Sequence, residues 1–315
     1  MAEPEKNWER ETLEKLAFSA VAEQRKARRW GIFFKLLTFV YVTFLIVMLF
    51  EWQGDGDMMA DGKHTALIEL EGVIDAKGEA SSEKINSALQ SAFKDKGTQG
   101  VILRINSPGG SPVQSGIIND EVGRLRGLYP NIPLYVVVED ICASGGYFVA
   151  ASADKIYVNK ASLVGSIGVL MDGFGFTGGM EKLGVERRLL TAGENKGFMD
   201  PFSAVDPQQK EYALGMLKDI HQQFIAVVKK GRGTRLKDDP DLFSGLVWTG
   251  QKAVELGLAD GFGSVESVAR DVIKAESIID YTRKSNPVER IAKRFGAAAA
   301  QSFADFTLRE SVRLR

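Results

Sequence analysis

The sequence is poor in the residues that most often carry polar chemistry, with one cysteine, Cys142, and two histidines, His64 and His221, among 315 residues. A lone cysteine closes no intrachain disulfide and builds no cysteine-based metal site, so it is silent about redox compartment. With 40 basic and 41 acidic residues the net charge is −1. That balance leaves no basic field to recruit nucleic acid and no acidic excess of the kind that keeps chains unfolded. No metal and no cofactor are expected. The hydrophobic fraction of 44% and charged fraction of 26% are ordinary for a globular protein, and the length allows one large or two small domains.

One apolar run stands apart. From Trp30 to Trp52 only Lys35 and Glu51 are charged. At about 1.5 Å of rise per residue, a helix of this length crosses the roughly 30 Å hydrocarbon core of a bilayer. Lys35 lies near one end, where it can snorkel to the interface, and the two tryptophans stand where aromatic belts stand. Arg25, Lys26, Arg28 and Arg29 precede the run, whereas Glu51, Asp55, Asp57 and Asp61 lie at its other end. The positive-inside rule then puts residues 1–29 in the cytoplasm and everything after residue 52 outside it. A cleaved secretory signal shares the basic start, but about thirty mostly polar residues come first and no small-residue cleavage site follows Phe50. A buried core helix is the other reading. An uncleaved anchor over 30–52 is the expectation.

A Gly/Asp-rich linker over 53–64 leads into alternating strand and helix patterns. Strands are expected at 65–74, 100–106, 133–140, 155–159, 166–171 and 185–192. Helices are expected at 81–96, 111–128, 143–154, 206–230, 250–257 and 264–276, the first beginning at a serine cap. Such alternation indicates an α/β domain with a largely parallel sheet over 65–280. Asn286–Pro287 marks off the end of the chain, and 281–315 reads as a basic amphipathic tail or as a solvated, partly disordered one.

Two glycine-rich turns follow expected strands. Asn106-Ser107-Pro108-Gly109-Gly110-Ser111 leaves the strand at 100–106 for a helix. Paired glycines there let backbone N–H groups face a site, which suits an oxyanion hole, a phosphate cradle or simply a tight turn. This turn lacks both phosphate-loop and dinucleotide-fingerprint spacing. The second turn, Cys142-Ala143-Ser144-Gly145-Gly146-Tyr147, puts Ser144 at a helix start, where it reads either as a nucleophile or as an N-cap. The N–H groups of Gly110 and Gly145 are the candidate oxyanion donors. Cys142 reads as a packed apolar residue, since neither histidine is placed to activate it. A serine nucleophile needs a base. His64 adjoins the linker and His221 falls mid-helix, which leaves Lys196 in the loop Gly193-Glu194-Asn195-Lys196-Gly197. Burial there disfavours the charged amine and leaves a neutral group to accept the serine proton, whereas exposure makes it a solvated loop lysine.

Taken together, NSPGGS, ASGGYFVAASAD, Val164-Gly165-Ser166-Ile167-Gly168-Val169, TAGENKG and the later Val247-Trp248-Thr249-Gly250 resemble the signal peptide peptidase A (SppA/SohB-like) family of bacterial membrane Ser–Lys peptidases. The likeness runs from about residue 65 to about residue 276 and includes the spacing of 52 residues from Ser144 to Lys196. It implies a Clp/crotonase-like α/β fold behind a single N-terminal transmembrane helix, with Ser144 as nucleophile and Lys196 as base. It further implies Ser166 as the residue that orients the lysine, and Gly110 and Gly145 as oxyanion donors with Gly109 shaping the turn. The implied partners are peptide substrates (remnant signal peptides or other membrane-derived and misfolded polypeptides), the bacterial inner membrane and further copies of the chain in a ring. The N-terminal region and the tail lie outside the likeness. A crotonase-like acyl-CoA enzyme and a catalytically silent membrane scaffold are the competing functions. Cleavage preference, subunit number and whether serine and lysine belong to one protomer are left open by the sequence.

The charge asymmetry yields a test of topology. Protease added to right-side-out vesicles is expected to digest the region after residue 53 and to spare residues 1–29. A C-terminal reporter active only in the cytoplasm overturns that orientation.

Overall fold

A computed structural model describes residues 5–53 and 62–283, and the chain divides into two units, Met1–Met59 and Ala60–Arg315. In the first unit a single uninterrupted helix, α1, runs over Glu5–Gln53. The stretch Glu11–Val47 within it is long and apolar enough to cross a membrane. The helix begins well before the anchor expected at 30–52. Residues 5–29 are rich in Glu, Lys, Arg, Ala and Leu and hold neither glycine nor proline, so nothing ends the helix on that side. The Thr38 and Thr43 hydroxyls donate back to the carbonyls of Phe34 and Phe39, so these polar side chains are satisfied within the helix. Of the linker expected at 53–64, residues 54–61 lie outside the described residues, as do residues 1–4 and the tail from 284 onward.

The second unit runs β1 (His64–Glu71), α2 (Ser82–Lys94), β2 (Thr98–Ser107), α3 (Pro112–Leu128), β3 (Leu134–Ala143), α4 (Gly145–Ala150), β4 (Lys155–Val158) and β5 (Leu163–Gly165). It continues with α5 (Thr177–Lys182), α6 (Pro207–Arg232), β6 (Val247–Thr249), α7 (Gly250–Glu255), β7 (Gly261–Phe262), a helical stretch of Val265–Ser267 and Val268–Ile273, and β8 (Ile278–Asp280). The strands form one sheet of order β6-β5-β3-β2-β1-β8, and β4 pairs with β3 and β7. Every pairing is parallel except β5 with β6. A parallel sheet needs cover on both faces, which is why Val101, Ile102, Leu103 and Ile105 on β2 are all fully buried. One face packs on α2, α3, α4 and α6 around Leu89, Phe93, Ile118, Val122 and Phe224. The other packs Ile102 and Val137 on Val265, Val268 and Ala269.

Strand β3 is the branch point. Its first half, Tyr135–Val137, pairs with β4, and its last residues, Ile141–Ala143, pair with β5. Between β2 and β3 the register shifts after Ile105, bringing Ser107 opposite Cys142. Such an irregularity bends the strands and re-aims their ends. The carboxyl ends of β2, β3 and β5 are thereby brought together, at the end of the sheet where open α/β sheets place their sites.

Two expected strands are absent. The segments 166–171 and 185–192 carry no regular structure, and with α5 they form an arm over 168–206. Strand β5 is Leu163–Gly165, and β6 closes its outer side, so the arm finds no free sheet edge there. Its apolar residues are exposed instead, with Leu170 at 80%, Phe174 at 80% and Leu190 at 95%. The helix expected at 143–154 shortens to six residues in α4, and that expected at 264–276 ends in a π-helical turn.

A buried ion cluster fastens α6 to the sheet. Arg232, 1% exposed, donates from Nη1 to Asp260 Oδ2 at 2.7 Å and from Nε to the Gly257 carbonyl at 2.9 Å. Arg235 and the Ile156 N–H also donate to the Asp260 carboxylate. Burial pushes this carboxyl up, but the hydrogen bonds from Arg232 and Ile156 and the charges of Arg232 and Arg235 outweigh it and hold it below the usual carboxylate range. A carboxyl lowered by folding stabilises the fold above its unfolded titration point and loses that contribution as pH falls through the folded one. Asp260→Ala leaves Arg232 buried without its counter-charge and is expected to cost about 3–5 kcal/mol. The check is the urea midpoint at neutral pH, and the gap from wild type should narrow in acid.

Candidate active site

The two glycine-rich turns meet at the carboxyl ends of β2 and β3. A side chain on Gly109, at φ 102°, would put its Cβ 2.7 Å from the Gly145 nitrogen and 2.8 Å from Ser144 Cβ. A Cβ on Gly145 would stand 2.5 Å from Ser115 Oγ and 3.2 Å from the Gly110 nitrogen. The two turns therefore touch backbone to backbone, and only glycine permits that approach. The Gly109 N–H is taken by Ser107 Oγ at 3.1 Å, and that hydroxyl donates to the Gly72 carbonyl at 2.6 Å. The N–H groups of Gly110 and Gly145 make no hydrogen bond among the described residues. Two free donors thus stand side by side next to Ser144.

Ser144 is the sharp corner between β3 and α4. It has φ 51° and ψ −123°, a conformation costing a non-glycine residue about 1–3 kcal/mol. Its N–H donates to the Gly165 carbonyl at 2.8 Å and its carbonyl accepts from Phe148, which hold the corner in place. Although Ser144 occupies the N-cap position of α4, its side chain caps nothing, and the half-buried hydroxyl is uncommitted. With α4 only six residues long, the polarity of this corner comes from local N–H groups more than from a helix dipole.

Ser166 lies next to Ser144 across the β3–β5 pairing, because Ala143 pairs with Gly165. It too has a positive φ, 50°, and its N–H donates to the Leu246 carbonyl at 2.8 Å. Ser144, Gly110, Gly145 and Ser166 are thus brought together. Lys196 is not joined to them. It is exposed on the arm, and its side chain makes no hydrogen bond or ion pair among the described residues. The arm holds itself through Arg187, which donates to Asp200 at 2.5 Å and lies over the Phe202 ring, itself stacked on Phe176 at 5.2 Å. Gly173, Gly175 and Gly178 have dinucleotide-fingerprint spacing, but the strand that motif requires is absent before them.

The other candidates fall away from the crevice. Cys142 is fully buried, and burial pushes its thiol far above the ordinary range, which leaves it inert. His64 is buried at the start of β1, bonded to Tyr281 and Thr98 and to the Gly62 carbonyl. Two residues of the site's surroundings, Ser107 and Ser115, went unread in the sequence, and a third, His221, was set aside there as mid-helix. Ser107 was quoted only as part of its turn. Ser115, fully buried against Gly145, has a hydroxyl without a partner among the described residues, and nothing in a helical serine announces that. His221 bonds the turn that carries Ser166.

The comparisons bear on this arrangement. The profile of Peptidase family S49 matches residues 128–278. A Brucella abortus protein named Na(+)/H(+) antiporter NhaA is 42% identical over 209 residues, 65% of this chain and 28% of that protein. The chain therefore spans little more than a quarter of that relative, whose name describes that protein. An Enterococcus faecium protein assigned the name signal peptide peptidase SppA is 32% identical over 231 residues, 71% of this chain and 67% of the other. Protease 4 of Haemophilus influenzae is 31% identical over 221 residues, 68% of this chain and 35% of the other. With its parallel sheet, its two opposed glycine turns and these relatives, the chain belongs to peptidase family S49 and has that family's Clp/crotonase-like fold.

Proposed function

We propose that this protein is a membrane-anchored serine endopeptidase working through a Ser144–Lys196 dyad completed between copies of the chain. The observation that carries the reading is the pairing of a strained, uncommitted serine with two free N–H donors. The anchor is the apolar part of α1, with the peptidase domain on the extracytoplasmic side of the bacterial inner membrane. The substrates are remnant signal peptides and other membrane-derived or misfolded polypeptides, which suit an enzyme held beside the bilayer.

In this mechanism neutral Lys196 takes the Ser144 hydroxyl proton as Oγ attacks the scissile carbonyl carbon. The oxyanion forms beside the Gly110 and Gly145 N–H groups, which need no reorganisation to receive it. Collapse breaks the C–N bond, and the lysine ammonium returns its proton to the leaving amine. Water, deprotonated by the same lysine, then hydrolyses the acyl-serine. Ser166 accepts or donates to the amine and fixes its direction.

The arm explains why a second copy is invoked. Lys196 is solvated within one chain, away from Ser144 and without a side-chain partner among the described residues. On the same arm Leu170, Phe174, Leu183 and Leu190 stand in water, each at least 80% exposed. Burial of apolar surface yields about 25 cal/mol per Å², so covering these side chains favours association. Docking the arm over a neighbour's crevice also desolvates the lysine there.

Peptide hydrolysis by the detergent-solubilised protein tests the dyad. Ser144→Ala and Lys196→Ala are each expected to lower kcat by about 10³-fold or more, with little further loss in the double variant. Near-normal hydrolysis by Lys196→Ala overturns the assignment. Mixed oligomers of the two inactive variants should regain partial activity. Their formation without regained activity places the dyad within one chain.

A further inference from the structure

Resting on the peptidase reading above, we propose that His221 is a positioning residue that holds the Ser166 turn in register with Ser144. His221 lies midway along α6, half-buried, and its Nε2 is 3.0 Å from the Ile167 carbonyl oxygen. A carbonyl only accepts, so Nε2 carries the proton in this bond, in the neutral Nε2–H tautomer or the imidazolium alike. This bond joins residues 54 apart in sequence and connects a helix to the segment directly after Ser166.

That segment needs holding. Ser166 has φ 50° and the preceding Gly165 has φ 113°, so the chain leaves β5 through two successive positive-φ residues. Strain of this kind lasts only where the surroundings over-determine it. Five contacts do so here. The Gly165 carbonyl accepts from Ser144, and the Ser166 N–H donates to Leu246. Within the turn the Gly168 N–H donates back to the Ser166 carbonyl at 2.9 Å. The Ile167 side chain is fully buried in the core, and the Ile167 carbonyl accepts from His221. The first two lie on the sheet side of the turn. His221 is the one polar tie from the helical layer among the described residues, and it falls where the arm departs toward Lys196. Without it, the Ile167–Gly168 peptide keeps only the local bond to the Ser166 carbonyl, and the turn that carries the Ser166 side chain loosens. His221 touches no reacting atom, so its effect is expected on turnover rather than on substrate binding.

Three variants separate a hydrogen-bonding role from a packing one. His221→Ala is expected to lower kcat about 10- to 100-fold with KM little changed, the range set by losing one buried hydrogen bond's worth of order. His221→Gln, whose side-chain N–H also reaches a carbonyl, should recover most of that loss. His221→Phe, which fills the space without donating, should not. Amide hydrogen exchange at Ile167 and Gly168 should quicken in the Ala and Phe variants and return toward wild type in Gln, a readout independent of activity. Adding Ser166→Ala to His221→Ala should lower kcat no further than Ser166→Ala alone, since both act through one group. Recovery by Phe but not Gln, unchanged exchange at Ile167, or full additivity with Ser166→Ala each overturns the inference. Hydrolysis that persists in Ser144→Ala strikes instead at the peptidase reading, while the exchange data still decide the role of His221.

Discussion

The structure turns on the contact between two backbones that no side chain separates. Gly109 lies against the Gly145 nitrogen, and Gly145 lies against Ser115 and the Gly110 nitrogen. Any Cβ in that space would push the ends of β2 and β3 apart, and the two free N–H groups would no longer share a target. Much else serves this approach. The register shift after Ile105 brings Ser107 opposite Cys142. Ser107 then occupies the Gly109 N–H and leaves Gly110 as the free donor of its turn. The branching of β3 between β4 and β5 opens the crevice on the other side of the same contact.

Strain at the site is balanced by rigidity around it. Ser144 and Ser166 both hold positive φ, and each costs free energy in isolation. They stand on adjacent strands joined by the bond from Ser144 N–H to the Gly165 carbonyl, so one conformation supports the other. Beneath them lies a core whose central strands are buried on both faces. The Asp260 cluster ties α6, the helix bearing His221, to the ends of β4 and β7. A buried ion pair of this kind stabilises little relative to an apolar replacement. It fixes one geometry, and here that geometry sets where His221 meets the Ser166 turn.

The elements that carry the crevice were legible because their signals are local. The helices at 82–94 and 112–128 and the apolar strands at 98–107 and 134–143 announce themselves through periodicity and paired glycines, although the serine cap expected at the first helix makes no side-chain bond and the cap that forms is Ser111. Gly109, Gly110, Ser144 and Gly145 were legible because a glycine pair after a strand has few structural uses. The arm was misread because a short apolar run reads as a strand whether or not a sheet edge is free to take it. At β5 the outer edge is occupied by β6, and that is a fact of topology. His221 was set aside because it falls mid-helix, and its partner, 54 residues earlier, is visible only in the fold. The length of α1 was missed because the apolar run marks what suits lipid, whereas helix continuation depends on the absence of breakers.

On the proposed reading, the separation of serine and lysine has a physical sense. In the single chain Ser144 and the two N–H donors are preorganised, whereas the Lys196 amine is solvated on an arm rich in exposed apolar groups. Preorganising the oxyanion site is safe in isolation, since N–H donors without an activated nucleophile cleave nothing. A desolvated lysine is different, because burying an unpaired amine within a lone chain is costly. Sharing the cost with an interface resolves this, for the apolar groups that flank Lys196 gain from the same docking that removes water from the amine. On the proposed reading, association therefore supplies both the wall of the crevice and the neutral base. The anchor reinforces it, because confining chains to a membrane plane raises their effective concentration without adding a contact.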